Sequence, residues 1–303
     1  MNVEIHGLSK CYKNRTKTTQ ALQDVNLTIE SGEIVCILGH NGAGKTTMVK
    51  SICGLLKPDK GAVYLGEKAV HENLPYAHQK CSAVLEGSRN IYYYLTAYEN
   101  LQYFGLLNGL TQKEIDEKAE KYLRLFELEQ FRDVPANSFS RGMQQKVAVI
   151  IALMKDPEVL LLDEPTLGLD IISSEAVIEL LQQLAAIGDR SIIITTHDVH
   201  LIEKLNSRLV FMNHGQIIRD NKLSELKRGG ESRRYRITFL LQASGVQLPS
   251  DAVISERQKD IAIFETMDCC WLQQVLDSEQ LIQIEKCSQS VADIYKAVMV
   301  DHA

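Results

Sequence analysis

Three short apolar runs punctuate the chain. Residues 33–38 (EIVCIL), 159–162 (VLLL) and 191–196 (SIIITT) are rich in β-formers, and the first is bounded by Ser31-Gly32 and Gly39. Runs that are apolar throughout, rather than alternating, predict strands buried on both faces. Helical patterns lie between them, over Lys45–Leu56 and Ser173–Ala186. Buried strands alternating with helices predict an α/β domain on a mostly parallel sheet with both faces covered. From about Tyr92 to Met154 the period becomes helical. Thr96 with Glu99, and Thr111 with Glu114, have capping-box spacing. Ile115, Ala119, Tyr122, Leu123 and Phe126 fall on one helical face. This predicts a helical subdomain, about 92–154, inserted into the sheet domain.

A polar, glycine-bearing run, Lys227–Arg234, reads as a linker. The expected organisation is one large domain over 1–222, a linker over 223–234 and a small α+β domain over 235–303. In that last part Arg236–Leu241 and Ile261–Glu265 predict strands, and Trp271–Leu276 and Val291–Val300 predict helices. No chemistry announces itself there.

Composition narrows the classes. Of 303 residues 45% are hydrophobic and 24% charged, enough for a sizeable core without disulfides or metals. The net charge of −6 lacks the basic surplus of a duplex-binding domain, so no nucleic-acid partner is expected. Met1–His6 shows no basic stretch followed by an apolar one, and Val147–Met154 is far short of the ~18–20 residues that span a bilayer. The expected location is cytoplasmic, or peripheral on a membrane through a partner. Seven cysteines at irregular spacing read as free thiols, and Cys269-Cys270 with Cys287 lack the spacing of a zinc site.

The chemistry concentrates after the first strand. Gly39-His40-Asn41-Gly42-Ala43-Gly44-Lys45-Thr46-Thr47 is G-x-x-x-x-G-K-T between a predicted strand and a predicted helix. Glycines let successive N–H groups turn inward around phosphate oxygens, and the helix N-terminus adds positive potential. Lys45 supplies a point charge for the β- and γ-phosphates, and the Thr46 hydroxyl can ligate Mg²⁺. The VLLL run ends in Asp163-Glu164, at a strand's C-terminal end, where ligands of open α/β sheets bind. Asp163 there suits Mg²⁺, and Glu164 suits orienting and deprotonating a water. Ser140-Arg141-Gly142-Met143 opens an apolar helix, where a hydroxyl and N–H groups can face an anion.

In this order the pieces resemble the nucleotide-binding domain of ABC transporters, a P-loop NTPase (RecA-like) fold, over residues 1 to about 222. GHNGAGKTT resembles its Walker A, and VLLLDE resembles Walker B with the catalytic glutamate. Phe139–Met143 occupies the signature position usually written LSGGQ, and Leu167-Gly168-Leu169-Asp170 resembles the D-loop. His197, after SIIITT, resembles the switch histidine that contacts the γ-phosphate, and Tyr12 the aromatic that stacks on adenine. Two motifs depart from the pattern. Glu86 stands where the family carries the Q-loop glutamine, as a carboxylate able to ligate Mg²⁺. The signature keeps only Ser140 and Gly142, the two positions that touch the γ-phosphate.

The resemblance implies ATP and Mg²⁺ as cofactors. It implies head-to-tail pairing with a second copy or a paralogous ATPase subunit, each ATP lying between the Walker A of one and the signature of the other. It implies ATP hydrolysis with Glu164 as base, and Lys45 and His197 stabilising charge. It also implies a separately encoded transmembrane permease, docked near Glu86 and Ile91–Leu95. More weakly, the chain resembles subunits of drug- and antibiotic-type exporters with one ATPase unit and a short C-terminal extension. A soluble ABC-type ATPase acting on nucleic acid or ribosomes is the alternative.

Overall fold

The computed structural model describes residues 1–13, 18–86, 90–188, 190–229, 235–240, 249, 252–258, 261–266, 271, 281–286 and 291–300. They divide into two compact units, Met1–Lys222 and Leu223–Val300.

The larger unit is organised by a six-stranded sheet. Its strands are β3 (Ile34–Leu38), β6 (Cys81–Val84), β7 (Val159–Asp163), β8 (Ser191–Thr195), β9 (Arg208–Asn213) and β10 (Gln216–Lys222), in the order β10-β9-β3-β8-β7-β6. All neighbours are parallel except β9 and β10. The three apolar runs become the three central strands. Every residue of β7 and β8 is buried, which is why they carry no alternation. In register, Cys36 lies beside Ile194, and Asp163 beside Thr195, so the polar ends of β7 and β8 meet at one edge of the sheet.

A second sheet is antiparallel and was not foreseen in the sequence. It orders β2 (Thr18–Ile29), β1 (Val3–Lys13), β4 (Lys60–Leu65) and β5 (Lys68–Ala69). Val3, Ile5 and Leu8 of β1 are buried with Val35 and Ile37 of β3 in a shared core. Helix α1 (Lys45–Ile52) packs Met48, Val49 and Ile52 into the same core, and helix α2 (Leu74–Lys80) adds Ala77. It stops short of the expected Leu56, because Gly54 turns the chain at φ +77°.

The central helical stretch forms α3 (Ala97–Leu107), α4 (Gln112–Leu125) and α5 (Arg141–Leu153), with two 3-10 turns between α4 and α5. Both capping boxes form in full, around Thr96 and Thr111. Ile115, Ala119, Tyr122, Leu123 and Phe126 are all buried. Helices α6 (Ile171–Ile187) and α7 (Val199–Leu205) follow β7 and β8.

The smaller unit opens with a helix, α8 (Leu223–Gly229), where the sequence suggested a linker. Its two leucines, Leu223 and Leu226, are buried, an apolar pair just ahead of the polar run. An antiparallel sheet follows, from β11 (Tyr235–Leu240), β12 (Val253–Gln258), β13 (Ile261–Thr266) and β14 (Leu281–Lys286), in the order β12-β13-β11-β14. Ile237, Phe239 and Trp271 form a core cluster, and the helix at Val291–Val300 forms as expected. Cys269, Cys270, Cys287 and most of the helix expected at Trp271–Leu276 lie outside the described residues.

Candidate functional site

Strand β3 delivers the chain to the phosphate loop. Gly39 cannot be otherwise: a Cβ there would lie 2.5 Å from the Met212 carbonyl oxygen. Gly44 has φ +105°, and a Cβ would meet the Ala21 carbonyl oxygen at 2.4 Å. The loop is therefore fixed against β9 on one side and β2 on the other. No side chain caps the start of α1. Its first N–H groups thus remain available to an anion.

The loop lines an open cleft of about 380 Å³. Residues His40–Thr47 form its floor, with Tyr12, Glu86 and Glu164 on its walls. Tyr12 stands at the end of β1 with 41% of its surface exposed, its ring free to receive a flat ligand. His40 is anchored at its rim by a 2.8 Å hydrogen bond to Asn213 Oδ1 at the end of β9.

The charged groups form a connected set. Lys45 is buried, and its ammonium donates to the Gly39 carbonyl at 2.7 Å. It also lies 3.7 Å from Glu164 Oε1. Glu164 Oε2 faces His197 Nδ1 at 2.9 Å. Glu164 has φ +51°, a left-handed conformation rare outside glycine, held by hydrogen bonds from its N–H to the carbonyl and hydroxyl of Thr195. That twist lets Glu164, one residue beyond the buried Asp163, reach the cleft.

Asp163 Oδ1 accepts from the hydroxyls of Thr46, at 3.3 Å, and Thr195. Its other oxygen, Oδ2, is buried without a hydrogen-bond partner among the described residues. An orphaned carboxylate oxygen beside a threonine hydroxyl is a donor set that fits a hard cation such as Mg²⁺. Thr195 is the residue that sequence reasoning missed. Its signal was a polar side chain ending an otherwise apolar strand.

Ser140 and Gly142 are not among the residues lining this cleft. Ser140 caps α5, accepting from the Met143 N–H at 3.2 Å, and is exposed. Gly142 is buried against α6, where a Cβ would lie 2.6 Å from Ser173 Cβ. Arg141 donates to the Gly168 carbonyl at 3.3 Å. Asp170 caps α6, and hydrogen bonds from the Ser173 N–H and hydroxyl hold its carboxyl below the usual range.

The family model described as "ABC transporter" matches residues 22–167. The chain is 36% identical over 238 residues to the ABC transporter ATP-binding protein NatA of Bacillus subtilis, covering 78% of this chain and 96% of that one. It belongs to the ABC transporter ATP-binding proteins. It is also 32% identical to the methionine import ATP-binding protein MetN 1 of Listeria monocytogenes, over 74% of this chain and 67% of that one. Among solved structures it superposes on the ATP-binding cassette MJ0796, a dimer in a post-hydrolysis state with ADP and Pi, with a TM-score of 0.65 and 31% identity. That likeness covers 73% of this chain and 98% of the other. The chain is thus an ATP-binding, ATP-hydrolysing cassette.

Other groups are inert or elsewhere. Burial pushes the thiols of Cys53 and Cys81 up and that of Cys36 to about 12, so none is a ready nucleophile or ligand. Among the described residues no cluster of histidine, cysteine and carboxylate groups has metal-site geometry, and no helix is long and apolar enough to cross a membrane. Of the expected docking segment, Ile91 is buried and belongs to the core, while Tyr94 is 89% exposed. A separate groove of about 460 Å³ is lined in part by Asn90, directly before that segment, and by Leu55, Phe104, Ile151 and Lys155.

Proposed function

We propose that the chain is the nucleotide-binding subunit that pairs head to tail with a second copy around two ATP. It drives transport through a separately encoded transmembrane permease. The observation that carries this reading is Glu164, held between Lys45 and His197 at the wall of a glycine-lined cleft.

In this reading the triphosphate enters over the 39–47 loop and Tyr12 stacks on the adenine. Lys45 leaves the Gly39 carbonyl for the β- and γ-phosphates. Glu164 turns from Lys45 and His197 to a water and takes its proton as the water oxygen attacks the γ-phosphorus in line. The bond to the bridging oxygen breaks and ADP leaves with it. His197, released from Glu164, stabilises charge on the transferring group. Thr46, Asp163 and Glu86 would hold Mg²⁺, which when bound neutralises phosphate charge. Ser140 and Gly142, turned away from their own chain's cleft, cap the nucleotide of the second copy. Loss of the γ-phosphate removes the bridge and the pair opens.

The permease seats near Glu86 and the 91–95 segment, at the groove lined by Leu55, Asn90 and Lys155. Lys155 is partly buried there, and desolvation lowers its pKa. An apolar groove with one desolvated cation suits a partner segment that brings apolar contacts and a counter-charge. Export is the favoured direction, on the resemblance to exporter subunits with a single cassette and a short C-terminal extension.

The test is Mg²⁺-dependent ATP hydrolysis by the purified chain. Glu164→Gln should lower turnover by ~10²-fold or more, as for loss of a general base. Equal turnover in the variant would remove Glu164 from the mechanism.

A further inference from the structure

Arg141 is a cation that its own fold does not balance. It is the first residue of α5, directly after the capping Ser140, and no acidic residue lies in that first turn. A positive side chain there works against the helix dipole, so Arg141 does not serve the helix. It is exposed, so it does not serve the core. Among the described residues no carboxylate pairs with it, whereas Arg124 and Arg208 each face two. Its guanidinium donates to the Gly168 carbonyl at 3.3 Å, a long bond to a neutral acceptor that leaves most of its N–H donors unspent.

The cleft has the opposite imbalance. Lys45 is the one lysine or arginine among the described residues that line it, against the carboxylates of Glu86 and Glu164. Glu86 stands where a neutral glutamine is usual, and Arg141 stands where the signature usually carries glycine. Each departure by itself is a defect: one sets an extra anion beside the phosphates, the other leaves a cation unpaired. Arg141 does not line its own chain's cleft. It follows Ser140 directly, at the end of α5 that covers the nucleotide of the second copy. There the two departures offset each other.

We propose that Arg141 of each copy binds the γ-phosphate held by the other, supplying the positive charge that Glu86 takes away from the site. The proposal rests on the head-to-tail reading above. A guanidinium suits the task, because its planar fork matches phosphate oxygens and holds its charge at every working pH. The weak bond to Gly168 is given up for a charge-assisted one. ADP offers no γ-phosphate, so hydrolysis releases Arg141 and leaves Glu86 without its counter-charge, which favours opening.

The experiment measures self-association of the Glu164→Gln protein in saturating Mg-ATP by analytical ultracentrifugation. The same protein is compared with Arg141→Gln, Arg141→Lys, Glu86→Gln, and Arg141→Gln with Glu86→Gln added. Glutamine keeps a donor for the Gly168 carbonyl without the charge, and lysine keeps the charge. Arg141→Gln should weaken association about 100-fold, about 10-fold for each of the two charge-assisted contacts in a pair. Arg141→Lys should stay within about 5-fold of its parent. Glu86→Gln should strengthen association at least about 5-fold more in the Arg141→Gln protein than in the parent. Mg-ADP affinity, read by calorimetry, should be the same with and without Arg141→Gln. Association unmoved by Arg141→Gln overturns the proposal and leaves the head-to-tail reading standing. Equal gains from Glu86→Gln in both backgrounds assign Arg141 to Gly168 alone, and an altered Mg-ADP affinity assigns it to its own cleft; either overturns the proposal. A Glu164→Gln protein that stays monomeric overturns the head-to-tail reading and the proposal with it.

Discussion

Replacing Asp163 by asparagine should stabilise the metal-free protein while removing its response to Mg²⁺ and nucleotide. Asp163 is 2% exposed, and its Oδ2 has no hydrogen-bond partner among the described residues. A buried acceptor left unpaired costs about 1–3 kcal/mol, and more when charged. The neighbourhood compounds this, because Lys45 is the one lysine or arginine among the described residues that line the cleft with Glu86 and Glu164. A carboxamide keeps the oxygen that receives the Thr46 and Thr195 hydroxyls and replaces the orphan by a neutral amide. About 1 kcal/mol should be recovered, raising the melting temperature of the larger unit by ~2–4 °C. Wild type with Mg-ADP at 100 times its Kd should gain about 2.7 kcal/mol, or roughly 5–10 °C. The variant, lacking the anionic ligand, should gain less than about a third of that. Differential scanning fluorimetry with and without Mg-ADP reads both effects. A metal-free variant that melts below wild type, or one with an undiminished Mg-ADP shift, would refute the assignment of Asp163 to the cation.

Two further outcomes follow from the same geometry. Glu164 competes with phosphate for Lys45 across 3.7 Å. Glu164→Gln should therefore bind Mg-ADP about 3–10-fold tighter by calorimetry, a ~1 kcal/mol change of the size expected for a weakened ion pair; unchanged or weaker binding counts against the competition. Tyr122 lies buried in the helical subdomain, and burial with the Asp156 charge raises its phenol to about 12. The folded state thus keeps its proton where the unfolded chain, ordinarily near 10, loses it. Stability from this group is intact below pH ~10 and is lost as pH rises towards about 12. At neutral pH Tyr122→Phe should cost ~1 kcal/mol for the 3.2 Å bond to Asp156. Urea titrations should show that gap closing as pH rises from ~10 towards about 12, the span of the shift, and a gap independent of pH would contradict it.

Much of the site was legible because its chemistry is local. The glycine loop, Lys45 and Thr46 are contiguous, and the Asp163-Glu164 pair ends an apolar run whose burial fixes where it emerges. The capping boxes were legible for the same reason, since Thr96 with Glu99 and Thr111 with Glu114 need only a spacing of three. What escaped notice depends on pairing across distance. The antiparallel sheet needs β1 to find β2 and β4, with register shifts along both pairs that blur the alternation. Thr195 matters only because β8 lies beside β7. The positive φ of Glu164 has no signature in residue type, and the buried leucines of α8 sit just ahead of a run whose charges read as a linker.

The central claim is that ATP itself joins two copies of this chain through cleft and signature. The most direct measurement is size exclusion with light scattering on the Glu164→Gln protein, with and without Mg-ATP. The account predicts a monomer alone, a dimer with Mg-ATP, and no dimer when Ser140→Arg is added to block the signature. A protein that remains monomeric at saturating Mg-ATP, or whose dimer survives Ser140→Arg, would contradict it.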